Sequence, residues 1–196
     1  MGINIFDGGS GTGFSPPNQT NNSGKFLTTD GSATSWQPTG MTLLSTTSLG
    51  GTTTTISSID GSYNSLFALV YGVTNASGDG HFRVAANGST NIATFVSVDV
   101  SAIRTTVQSY LNLNGGSLTV NRSDASNSWA FKIDNYASAT HRKPVSYNGY
   151  FSSSSSGQGG VFGGGGIVTT SAITSLVFSN SVGTLSTGTV LLYGVK

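Results

Sequence analysis

Ser128-Trp129-Ala130-Phe131-Lys132-Ile133-Asp134 alternates large apolar side chains with small or polar ones. A strand turns successive side chains to opposite faces. Trp129, Phe131 and Ile133 therefore share one face, and Ser128, Ala130 and Lys132 share the other. The stretch predicts a half-buried strand with Trp129 in a core.

Outward from this segment, similar short runs recur. Strand candidates cover residues 41–47, 53–59, 65–73, 81–86, 92–100, 117–121, 145–152, 173–179 and 189–195. In residues 81–85, Phe82 and Val84 point in while His81 and Arg83 point out. Residues 66–71 are apolar on both faces, the pattern of a central strand. Asp60-Gly61, Asp79-Gly80, Asn87-Gly88 and Asn114-Gly115 supply turns. So many short strands predict an all-β fold, with a β-sandwich or jelly-roll-like domain over residues 41–196. Two stretches read less simply. In residues 99–111, Ile103, Val107, Tyr110 and Leu111 stand at helical spacing and Ser101 offers a cap, whereas the β-branched content suits an irregular strand. From Phe151 to Gly166 the chain holds five serines and seven glycines, which suits a long mobile loop or a backbone that hugs a neighbour.

Charge is scarce. Only 8% of residues are charged, where about a quarter is usual. All seven acidic residues are Asp, and the net charge is +1. Such a chain carries no field to steer nucleic acid or an anionic membrane, and it is not a charged, disordered one. The absence of cysteine removes disulfides, thiolate metal sites and cysteine nucleophiles. Residues 1–7 lack the basic end and apolar stretch of a signal peptide, and Phe6 stands where a myristoylation signal wants Ser or Thr. The longest apolar run, residues 66–73, is too short for a span of about 20 helical residues. Neither nucleic-acid binding nor membrane insertion is expected.

Residues 1–40 differ from the rest and read as an extended N-terminal arm. They hold Pro16, Pro17 and Pro38, three of the four prolines. Ile3, Ile5 and Phe6 suit a short edge strand, residues 8–13 a flexible link, and Ser15-Pro16-Pro17-Asn18 a stiff, extended piece. Within the arm, Gly24-Lys25-Phe26-Leu27-Thr28-Thr29-Asp30-Gly31-Ser32-Ala33-Thr34-Ser35-Trp36 predicts a β-hairpin over residues 24–36, turned at Asp30-Gly31. A lone hairpin is marginal. Phe26 and Trp36 are therefore expected to bury against another chain or the following domain. Ile3, Ile5, Phe6, Pro16, Pro17, Phe26 and Trp36 make up the candidate docking set.

That hairpin segment, following Pro17-Asn18-Gln19-Thr20, resembles the "G-K-F-L-T-T-D-G-x-x-x-S-W" stretches ahead of the distal domains of tailed-bacteriophage tail-fibre proteins. The strands of residues 43–59 and 65–73, with the ending Ser186-Thr187-Gly188-Thr189-Val190-Leu191-Leu192-Tyr193-Gly194-Val195, look like the jelly-roll-like domain that closes many such fibres. The resemblance implies a virion structural protein, assembled in the bacterial cytoplasm and exposed on the particle. It implies other virion proteins as partners, a homotrimer, and a role in host attachment. Fibres usually carry a long shaft of coiled coil or repeats, which this chain does not show. A short tail fibre or appendage is therefore expected, with a capsid-decorating or head-fibre protein and a carbohydrate-binding module as the alternatives.

Catalysis finds little footing in the sequence. Glycoside hydrolysis needs a carboxylate pair, and Asp60, Asp79, Asp99, Asp124 and Asp134 are scattered singly. A serine hydrolase needs a base, and only His81 and His141 are present, with no G-x-S-x-G turn. Gly9-Ser10-Gly11-Thr12-Gly13 mimics a phosphate loop without the Lys-Ser/Thr that completes one. No enzyme, metal or cofactor is expected. The most basic run, Thr140-His141-Arg142-Lys143-Pro144, is flanked by aromatic residues whose faces can stack on sugar rings. Tyr136, His141, Arg142, Tyr147 and Tyr150 form the candidate contact set for a host surface glycan.

Overall fold

The computed structural model describes residues 18–29, 31–38, 40–88, 93–98, 103–108, 110–114, 124–153 and 157–196. Ile3, Ile5, Phe6, Pro16 and Pro17 of the docking set, Asp30 of the hairpin turn and the strand expected over residues 117–121 lie outside them. The chain divides into two units, Met1–Gly40 and Met41–Lys196. It is all-β, with three antiparallel sheets.

In the first unit, β1 (Lys25–Thr29) pairs with β2 (Thr34–Pro38), with Lys25 opposite Pro38 and Thr29 opposite Thr34. The pairing ends at Thr29 and Thr34, with four residues of sequence between the strands. Gly31 sits at φ 92°, where glycine is favoured, and donates its N–H to Thr29 Oγ1 at 3.0 Å.

The second unit is a β-sandwich. Its large sheet runs in the order β3 (Met41–Ser48), β14 (Leu185–Val195), β5 (Ser65–Asn75), β10 (Ser128–Asp134), β11 (Lys143–Ser153), β12 (Gly157–Ile167), β7 (Ala93–Val98), β8 (Ile103–Gln108). The small sheet runs β4 (Thr53–Ile56), β13 (Leu176–Asn180), β6 (Phe82–Ala86), β9 (Leu111–Asn112). The chain crosses repeatedly between the sheets, and its first and last sandwich strands lie side by side.

Alternation explains the inner faces. Trp129, Phe131 and Ile133 of β10 are buried, and Phe82 and Val84 of β6 face them from the other sheet. Phe82 stacks on Trp129 at 5.1 Å between centroids and on Phe178 of β13 at 6.2 Å. Offset aromatic pairs of this kind add to the area they bury. Leu66, Ala68, Val70, Val190 and Leu192 complete the floor of the core.

Three readings are resolved or corrected. Residues 103–108, where helix and strand competed, are strand β8: Ile103, Thr105, Thr106 and Val107 are the β-branched majority of that segment. Residues 157–167 are not a loop. They form β12, eleven residues paired to β11 on one side and β7 on the other. At Gly163 a neighbouring side chain, Tyr147, takes the space a Cβ would need. Lastly, β5 is central but not covered on both faces. Leu69 is 36% exposed and Tyr71 47%.

Candidate functional site

The outer face of the large sheet is where the sequence places apolar side chains without covering them. Register defines two rows across it. In one, Leu191 of β14, Leu69 of β5, Ala130 of β10, Asn148 of β11 and Phe162 of β12 stand in line. In the next, Tyr71 and Tyr150 both stand opposite Ser128, one on each side. Phe162 is 60% exposed and Leu43, further along the face on β3, is 50% exposed.

Between these walls runs an open trough of about 320 Å³, lined by Leu69, Tyr71, Ser128, Ala130, Asn148 and Tyr150 and by backbone of the intervening residues. Its floor is shallow because Ser128 and Ala130 are small. Lys132, the next outward residue of β10 after Ala130, lies outside this lining. Lys132 Nζ lies 2.7 Å from Asp134, which also accepts a 2.6 Å hydrogen bond from Ser65 Oγ. The Lys132 ammonium, helped by that hydroxyl, holds the Asp134 carboxyl below the usual aspartate range.

The glycan set read from the sequence does not come together. Tyr136 is wholly buried and its hydroxyl donates to the Asp60 carbonyl. Burial pushes that phenol's pKa up. Tyr147 is 5% exposed and lies on the inner face of β11. Both are corrections: these two rings are core, and offer no face to a ligand. His141 and Arg142 are exposed on the loop after β10. Lys143, from the same basic run, is fully buried. Its ammonium donates to the carbonyls of Ser138 and His141 at 2.7 Å and of Thr170 at 2.9 Å, and burial pushes its pKa down. Of the set, Tyr150 alone reaches the trough. In the docking set, Phe26 is 62% exposed and Trp36 half-buried.

Leu69, Tyr71, Ser128 and Asn148 were missed. Their signal was available: outward parity on β5, β10 and β11, with apolar residues on a face that no second layer has to cover.

The polar groups that invite a chemical reading do structural work. Ser138 Oγ lies 3.2 Å from His141 Nδ1, but it already accepts the backbone N–H groups of Thr140 and His141 at 3.1 and 2.9 Å. Asp60 caps Ser62, and Asp124 accepts the N–H of Ser126. Among the described residues, no three His, Cys, Asp or Glu side chains converge as a metal site. No described helix is long and apolar enough to cross a membrane. Comparison with protein families, curated proteins and solved structures returns no match.

Proposed function

We propose that the chain is a structural protein of a bacteriophage particle, a short tail fibre or appendage. Its N-terminal arm docks onto other virion proteins, and the sandwich of residues 41–196 is presented to the host as part of a homotrimer. The observation that carries this reading is the hairpin. The segment that resembles fibre proteins forms a two-stranded sheet of its own, with all five residues of β1 exposed. A two-stranded ribbon is marginal in water by itself and gains stability from a partner surface. The sandwich, in contrast, has its own aromatic core. The acids at Asp60, Asp124 and Asp134 hold turns and strand ends, which supports a structural role over a catalytic one.

Deleting residues 2–36 tests the reading. Particles should then lack the protein, while the remainder still unfolds cooperatively. Normal incorporation of the truncated chain overturns docking by the arm. Labelling on the head lattice, seen by electron microscopy, would overturn the tail assignment and leave capsid decoration.

A further inference from the structure

The geometry points to the trough between Tyr71 and Tyr150 as a binding site for a neutral saccharide, with Ser128 and Ala130 as its floor. The inference deepens the host-attachment reading and rests on it for the source of the sugar.

Tyr71 and Tyr150 stand on β5 and β11, each directly opposite Ser128 on the strand between them. Two strand spacings separate their backbones by roughly 10 Å. A ring held between two aromatic faces needs two van der Waals contacts of about 3.5–4.0 Å each. That strand spacing leaves room for one saccharide ring above Ser128, between the two strands. Glycine helps outside the pair as well, since Gly160 is the β12 partner of Tyr150 and adds no side chain to crowd it.

The polar groups suit hydroxyls rather than charges. Asn148 supplies an amide with donors and an acceptor, and Ser128 and the two phenols supply hydroxyls. A pocket mostly apolar, with a few placed polar groups, is the usual form of a small-ligand site. Among the described residues, no charged side chain lines the trough, and Lys132, the next outward residue of β10, is paired with Asp134 at 2.7 Å. An acidic sugar would gain little there. An extended peptide has less to gain still: both edges of β10 are bonded, to β5 and to β11, so no backbone groups are free to add a strand.

The test uses the full chain on an array of neutral hexose and N-acetylhexosamine oligosaccharides, with sialylated and sulfated ones beside them. Neutral oligosaccharides should bind. Tyr71→Ala and Tyr150→Ala should each weaken binding by about two- to tenfold, the scale of one lost stacking contact. Ser128→Tyr should fill the floor and abolish binding. All three positions face outward, so melting temperatures should stay near that of the parent. Binding that survives Ser128→Tyr, binding confined to charged glycans, or no binding at all overturns the site. So does an oligomer that Ser128→Tyr dissociates in sedimentation, because the face would then be an interface between copies. Incorporation of Ser128→Tyr into particles separates the two claims: normal incorporation without glycan binding defeats the trough and leaves the virion reading standing.

Discussion

Gly163 of β12 lies directly opposite Tyr147 of β11, and a Cβ built at Gly163 would stand 2.6 Å from Tyr147 Cζ and from its hydroxyl. The tyrosine lies across the glycine, and the absent side chain is the space the ring occupies. Gly149 and Trp129 repeat the arrangement one strand over, with a Cβ at Gly149 falling 2.0 Å from Trp129 Cδ1. Gly163 and Gly149 are thus positions where a neighbouring ring requires glycine. Gly163→Ala should destabilise the fold by about 1–3 kcal/mol, the range for forcing extra volume into packed surroundings. Gly160→Ala should be close to neutral, since its nearest neighbour is Gly149 O at 3.8 Å. Urea unfolding of both variants, with Tyr147→Leu added to Gly163→Ala, checks the cause. The second change should restore part of the loss only if the ring is what clashes.

Asn127 is fully buried and ties β5, β11 and the turn before β10 at one point. Its Nδ2 donates to Val73 O at 2.9 Å and to Asp124 O at 2.6 Å, and its Oδ1 accepts the N–H of Ser152 at 2.8 Å. Asn127→Ala should cost about 2–4 kcal/mol, because buried backbone groups lose partners they cannot replace. Asn127→Asp should be at least as harmful near neutral pH, as it sets a carboxylate oxygen against two carbonyls. Thermal unfolding of the pair checks this. An aspartate variant as stable as the parent would mean that the Nδ2 bonds contribute nothing.

Much of the sandwich is legible in the sequence because alternation is a physical constraint on a half-buried strand. Residues 128–134 were bounded correctly for that reason, and Phe82 and Val84 were placed inward by the same rule. β12 was not legible. Glycine has no side chain to alternate, so a central strand built of it looks like a linker. Apolar residues on both faces of residues 66–71 were informative about position in the sheet but misleading about cover. Periodicity reports which residues share a face, not whether another layer lies over it. Tyr147 and Tyr150 differ by odd spacing and so take opposite faces, which parity alone would have separated. Lys143 could not have been assigned to the interior from its basic neighbours. The three carbonyls that receive it come from residues 138, 141 and 170, brought together only by folding.

Lys143 therefore acts as a clamp between the loop after β10 and the loop after β12. Replacing it with methionine keeps much of the buried stem but leaves three carbonyls without their donor. Lys143→Met should destabilise by about 2–4 kcal/mol, and amide exchange should quicken in residues 135–142 and 168–175 before elsewhere. Unchanged exchange in both loops, with only a global loss of stability, would mean that the ammonium does not hold them together.

Asp134 makes a pH prediction of definite sign. Its carboxyl is held below the ordinary aspartate value of 3.8 chiefly by Lys132, and further by Ser65. Between the unfolded and the folded pKa, the unfolded chain binds more protons, so stability falls as pH falls. The contribution is complete above the ordinary value and is lost as pH drops through the folded one. Asp134→Asn should lower stability near neutral pH and flatten that part of the acid limb, with parent and variant converging at the most acid end. Lys132→Met should move the parent's loss of stability toward higher pH, closer to the ordinary aspartate value. Urea midpoints from about pH 2 to about pH 7 at low salt measure both effects. Added salt should weaken the Lys132 part, because the pair is partly exposed and therefore screened. Parallel pH curves for parent and Asp134→Asn would show that this carboxyl has the same pKa folded and unfolded, and that its ion pair with Lys132 adds nothing to the fold.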